Sequence, residues 1–198
     1  MSHLTTLDEI FSSLNDKDTY QLWSKTRVAK ITLGNSVIRV FVKQTKVALI
    51  DCLLTLPVHE IISIQNQLAF DKWHLKQVKK VYTCMCNVKG NVGRLGHAGL
   101  LYGHATKIFN LFIGHLIFYS PYFPLNTVKK AKYFLHVPLD KKVFDALKGC
   151  SVEDVPSSIK NVTEISYYQL QEVIRNAAIR YNIPPLYFDE YGWSFDKV

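Results

Sequence analysis

Acidic residues are scarce in this chain, and so are several residue types whose abundance would settle its class. Sixteen aspartates and glutamates face 24 lysines and arginines over 198 residues, a formal net charge of +8 at neutral pH. Such an excess concentrates polyanions near the surface and is compatible with nucleic acid as a partner. Cysteine occurs four times, at Cys52, Cys84, Cys86 and Cys150, too sparsely for the disulfide frameworks with which small secreted domains offset thin cores. Reduced thiols are therefore expected. Cys84 and Cys86 form a C-x-C pair, but no second pair follows and the seven histidines show no H-x-x-x-H spacing. A zinc site needs that full ligand set, so no metal and no cofactor are expected.

A long hydrophobic run is missing too. The best candidate, Ile108 to Phe118, is interrupted by Asn110, Gly114 and His115 and falls short of the ~20 apolar residues of a spanning helix. No membrane association is expected. The opening MSHLTTLDEIFSSLNDKD carries acids and lacks the basic start and apolar stretch of a secretory signal. The expected location is the cytoplasm. Apolar side chains, in contrast, are plentiful at 48% of the chain, enough to offset the entropy of ordering a core and to exclude wholesale disorder. The length fits one domain.

Periodicity divides that domain. Leu7, Ile10, Phe11 and Leu14 predict a short helix over Thr6 to Leu14. In RVAKITLGNSVIRVFVKQ, β-branched residues on both sides of Gly34-Asn35 predict a β-hairpin. Lys46 to Leu56 fits a buried strand or a buried helix, with helix favoured, a helical pattern begins at Pro57, and a further helix is expected from Asp71 to about Cys84. Glycines at 90, 93, 96, 99 and 103 mark a long connection. Helices are then expected from HATKIFNLFIGHLIFY, from Asn126 to Phe134, from near Pro138, and from TEISYYQLQEVIRNAAIRY up to Pro184-Pro185. The expected architecture is mainly α: an orthogonal helical domain in which an N-terminal helix and β-hairpin, residues 1–50, pack on a helical core, residues 51–198.

Two fragments stand apart. Gly103-His104-Ala105-Thr106-Lys107 opens one apolar helix, and Val137-Pro138-Leu139-Asp140 opens another 33 residues beyond Lys107. Unpaired N–H groups and the positive dipole end make a glycine turn into a helix a ready phosphate site. Asp140 stands where a carboxylate caps a helix.

These fragments resemble the helix-hairpin-helix DNA glycosylase superfamily, in which a glycine-bearing hairpin leads into a helix with a nucleophilic lysine and an aspartate opens a later helix. The resemblance implies a helix-hairpin-helix-like centre, Lys107 as nucleophile, Asp140 as its carboxylate and Gly103 as the first hairpin glycine. The second hairpin glycine is replaced by Ala105, Lys141 follows the aspartate, and no iron–sulfur cysteine cluster is present. Over a longer stretch the chain resembles a group of small bacterial proteins with a G-x-A-x-K-x-x-N helix, to which no activity is assigned. Here that helix starts Gly103, Ala105, Lys107, Asn110.

The family's chemistry requires the lysine to lose a proton, attack the sugar C1′ and form a Schiff base, with a carboxylate assisting. The expected function is DNA binding with base-excision glycosylase or lyase chemistry through Lys107 and Asp140. Gly103, His104, Asn110, Arg94, Lys76, Lys79, Lys80 and Lys141 are the candidate DNA contacts. Each also has a plainer use: a solvated lysine, an N-cap, a hydrogen-bonded loop histidine, and packing for Tyr187, Phe188, Tyr191, Trp193 and Phe195. The alternative is a noncatalytic helical interaction or accessory protein, self-associating through its aromatic C-terminal surface. Convergence of Lys107 and Asp140 in one concave basic pocket discriminates between the two.

Overall fold

A helix that is apolar on every face has to be surrounded, and Tyr102–Phe118 is such a helix, with 12 of its 17 residues buried. The computed structural model describes residues 16–96 and 98–194. The helix expected over Thr6 to Leu14, together with His97 and Phe195, lies outside the described residues.

The described elements, in order, are α1 (Lys17–Thr32), the single turn α2 (Asn35–Ile38), α3 (Thr45–Thr55), a 3-10 segment (Val58–Ser63) and α4 (Gln67–Asn87). Next come α5 (Asn91–Leu95), a 3-10 turn (Ala98–Leu101), α6 (Tyr102–Phe118), α7 (Leu125–Ala131) and α8 (Lys141–Gly149). A third 3-10 turn (Ile159–Asn161), α9 (Glu164–Arg180) and α10 (Tyr187–Ser194) complete the order. The fold is all-α, with no strand among the described residues. None of its helices is long and apolar enough to cross a membrane.

The central helix α6 packs against α1, α4, α7 and the 3-10 turns on either side in sequence, while α3 fills the space against α1 and α4. Their apolar faces form the larger core, around Leu33, Leu49, Leu53, Phe70, Val81, Phe109 and Phe112. A second core lies between the extended segment before α8 and the helices α8 and α9, around Val137, Phe144, Leu147, Tyr167 and Leu170. Tyr102 borders both cores.

The expected β-hairpin over residues 27–44 does not exist. Lys25, Val28, Ala29, Thr32 and Leu33 are the buried positions, and their i, i+3, i+4, i+7, i+8 spacing is that of a helix face. Two of the five are polar, which hides the stripe from a hydrophobicity count. Lys25 Nζ donates to Leu54 O at 2.6 Å and Leu56 O at 2.7 Å, so a lysine closes the carbonyl end of α3 from inside. Gly34 links α1 to α2 rather than forming a hairpin turn: its N–H donates to Ile31 O, and its carbonyl accepts from the N–H groups of Val37 and Ile38.

Other boundaries moved for identifiable reasons. Asn66 accepts a hydrogen bond from Ala69 N–H at 2.9 Å, so α4 begins at Gln67 rather than at Asp71. The glycine-rich connection is ordered into α5 and a 3-10 turn because Asn91 is a buried hub. Its Oδ1 accepts from Val42 N–H and Thr45 Oγ1, and its Nδ2 donates to Met85 O. Gly90 and Gly96 on either side take φ of 96° and 104°, in the region that favours glycine. Past Pro184-Pro185 the aromatic tail forms α10 against α8, where Gly192 lets it approach Val143 closely.

Burial pulls the Lys25 ammonium down to about 8. Between that value and the ordinary lysine range the unfolded chain binds a proton that the fold does not, so this group's contribution to stability rises as the pH climbs through the window. The melting temperature of the wild type relative to Lys25→Met is expected to increase from pH 8 to pH 10. A difference that stays constant across that range would show that Nζ is not held in a desolvated setting.

Candidate functional site

Lys107 lies in the second turn of α6 and Asp140 is the N-cap of α8. Although 33 residues separate them, Lys107 Nζ donates to Asp140 Oδ2 at 2.9 Å. Their side chains are 22% and 12% exposed, so the pair lies in a cleft rather than in bulk water. Asp140 divides its oxygens: Oδ1 accepts from the backbone N–H groups of Lys142 and Val143, and Oδ2 faces the lysine. It is both the helix cap and the partner of Lys107.

The separation of the pair is set one turn behind it. Asn110 follows Lys107 by three residues, Val137 precedes Asp140 by three, and Asn110 Nδ2 donates to Val137 O at 3.1 Å. From α9, Gln171 accepts from Val137 N–H at 2.9 Å and donates to Val137 O at 2.8 Å. The segment leading into α8 has no sheet neighbour, so two side-chain amides satisfy its buried backbone groups.

Asn110 also belongs to a buried chain of donors. His74 Nε2 donates to Asn110 Oδ1 at 2.7 Å, and Asn110 Nδ2 donates to the Tyr167 hydroxyl at 2.8 Å. Tyr167 in turn donates to His136 Nδ1 at 2.9 Å, and His136 Nε2 donates to Asp71 Oδ1 at 2.8 Å. This direction assigns the tautomers from the network and requires the His136 imidazole to be neutral. Burial supplies that condition, holding His74 well below the ordinary histidine range and His136 below it as well, against the opposing pull of Asp71 on the latter. Burial would raise the Asp71 carboxyl, but hydrogen bonds from His136 and Gln67 and the charge of Arg175 keep it low. Arg175 closes the chain with two contacts to Asp71 at 3.3 Å.

The cleft at the pair has a volume of about 200 Å³ and is lined also by Thr32, Leu111, His115, Pro138 and Asp189. Through Ile31 and His115 it adjoins a hollow of about 440 Å³ walled by Tyr20, Trp23, Arg27 and Tyr119. His115 Nδ1 meets Thr32 Oγ1 at 3.1 Å, and burial lowers its pKa.

The other candidate residues are dispersed. Gly103 is buried, and a Cβ there would come within 2.1 Å of Ile159 O. The start of α6 therefore faces the 159–162 segment, and close packing against protein requires the glycine. His104 is buried edge-on to Phe41, and burial with the charges of Lys107 and Lys160 lowers it to about 4. Asn110 is 1% exposed and its amide is committed to the network. Arg94 donates to Phe41 O at 3.0 Å, tying α5 to the turn after α2. Lys76, Lys79 and Lys80 are exposed on α4. Lys79 lies 3.7 Å from Glu164 and lines a hollow of about 770 Å³ that shares no residue with the Lys107 cleft. Lys141 pairs with Asp145 one turn along α8. The fold thus brings Lys107 and Asp140 together without gathering the α4 lysines into their cleft.

The polar chain through His74, Tyr167, His136, Asp71 and Arg175 was not visible in the sequence, because its members come from two helices and one extended segment up to 104 residues apart. Only Asn110, one turn from Lys107, gave a local signal. Among the described residues no cluster of three or more histidine, cysteine, aspartate or glutamate side chains could hold a metal ion. Compared with known protein families, curated proteins and solved structures, the chain matches none.

Asn110→Ala is expected to lower the unfolding free energy by about 1–3 kcal/mol, because the buried His74 Nε2 proton and the Tyr167 hydroxyl each lose a partner. Denaturant titration checks this. A loss under about 0.5 kcal/mol would show that the network is not a stabilising unit.

Proposed function

We propose that the protein binds DNA and acts as a base-excision glycosylase/lyase, with Lys107 as amine nucleophile and Asp140 as the carboxylate that serves it. One observation carries the reading: an ammonium and a carboxylate from positions 33 residues apart meet at 2.9 Å in a cleft. In that geometry a proton can pass from Nζ to Oδ2, leaving an amine whose lone pair attacks C1′ as the C1′–base bond breaks and the departing base takes a proton. The C1′–O4′ bond then breaks, O4′ takes the proton held by Asp140, and an iminium forms between Nζ and C1′.

Two further features support it. The adjoining hollow, walled by Tyr20, Trp23 and Tyr119, offers aromatic faces to an extruded base. Helix α5, the glycine-bearing turn and α6 with its lysine in the second turn follow the order of a helix-hairpin-helix centre in an orthogonal helical domain. The exposed lysines of α4 would then act as phosphate contacts away from the reacting pair.

The second reading is a noncatalytic interaction protein that self-associates. It is favoured by the capping role of Asp140 and by exposed apolar side chains such as Leu22, Ile31 and Tyr119.

Borohydride trapping on a panel of abasic and damaged duplexes separates the two, since reduction of the iminium leaves a covalent protein–DNA adduct. Wild type is expected to trap at least one substrate, with binding that weakens steeply as salt rises. Lys107→Gln is expected to abolish the adduct while keeping most of the affinity. Asp140→Asn keeps a capping oxygen and is expected to slow trapping by about 10²-fold or more. No wild-type adduct on any substrate, or undiminished trapping by Lys107→Gln, would leave the noncatalytic reading.

A further inference from the structure

Outside the Lys107 cleft, two cysteines on adjoining helices face one another. Cys52 lies on α3 and Cys84 on α4, which pack together. Cys52 Sγ lies 3.9 Å from Lys80 O, and Cys84 Sγ lies 3.3 Å from Ala48 O. Each thiol therefore rests on the opposite helix one turn before the other cysteine. Such reciprocal pairing, 52 with 80 and 48 with 84, requires antiparallel helices. Side chains tilt toward the N-terminus of their own helix, so in this register Cys52 and Cys84 lean toward each other.

We infer that Cys52 and Cys84 form a redox modification site, a dithiol that a hydroperoxide converts to a disulfide joining α3 to α4. Both thiols are partly exposed, so a small oxidant can reach them. The closeness of the two thiols divides their acidity. It pulls Cys84 down to about 7, and it raises Cys52 together with burial. Cys84 is the attacking thiolate, because nucleophilic reactivity follows the thiolate form.

Cys84 thiolate attacks one oxygen of the hydroperoxide, the O–O bond breaks, an S–O bond forms, and the other oxygen leaves as alcohol or water after taking a proton. The sulfenic acid at Cys84 is then attacked by the Cys52 sulfur, which gives up its proton. The S–O bond breaks, water leaves, and the disulfide forms. Two thiols are oxidised by two electrons and one hydroperoxide is reduced by two. A dithiol reductant reverses the change by exchange. Cys150 is exposed but lies on neither helix, and Cys86 is two residues past Cys84 on α4. Neither has the facing geometry of the pair.

The test treats the full chain with stoichiometric hydrogen peroxide, alkylates the remaining thiols and maps the unreduced digest by mass spectrometry. The expected result is one Cys52–Cys84 peptide pair lighter by two hydrogens, with Cys86 and Cys150 alkylated, and full recovery of four thiols with dithiothreitol. Oxidised protein is expected to melt at a higher temperature than reduced protein, because the staple closes a long loop of the unfolded chain. Cys52→Ser is expected to leave Cys84 trappable as a sulfenic acid by dimedone. Pairing through Cys86 or Cys150, or alkylation of both Cys52 and Cys84 after peroxide, would overturn the inference. Because the peptide map is made on wild-type protein, a folding defect in Cys52→Ser leaves the disulfide assignment decidable.

Discussion

Both backbone polar groups of Val137 lie in the interior with no neighbouring strand to pair with, and the candidate site depends on how that need is met. Gln171 from α9 takes the N–H and shares the carbonyl, and Asn110 from α6 takes the remaining lone pair of that carbonyl. Buried peptide groups left unpaired would each cost more than a typical hydrogen bond returns. The two amides therefore hold α6, α9 and the entry to α8 in one arrangement. Lys107 lies one helical turn before Asn110 and Asp140 three residues of extended chain after Val137, so their approach follows from the tie.

Behind the tie, the donor chain from His74 to Asp71 has consistent polarity, and each histidine stays neutral through burial. The one formal ion pair of this chain, Arg175 with Asp71, lies at its half-buried end. Placing the charge there avoids most of the desolvation cost of a deeply buried pair. The interior part is left with neutral hydrogen bonds, whose low-dielectric setting favours a single geometry. Side chains also satisfy buried backbone groups elsewhere in the fold, where Lys25 closes α3 and Asn91 anchors α5.

Polar residues with interior roles explain where sequence patterns misled. The buried face of α1 includes Lys25 and Thr32, so its helical stripe looked like two β-branched strands around a glycine. Asn91 orders a segment whose five glycines read as one long connection. His74 and His136 looked like ordinary polar positions on a helix and a linker, because a hydrogen-bond chain between distant segments leaves no spacing to detect.

By itself the sequence determined a mainly helical core with an apolar helix in HATKIFNLFIGHLIFY, the cap at Asp140 and the positions of Lys107 and Asn110 on one helix face. These follow from local periodicity and capping chemistry, which act within a few residues. Tertiary structure alone decided that Lys107 meets Asp140, that the α4 lysines do not line their cleft, that Gly103 faces protein, and that α1 is a helix. Each depends on contacts between segments tens of residues apart, where the pairing of buried polar groups selects the arrangement.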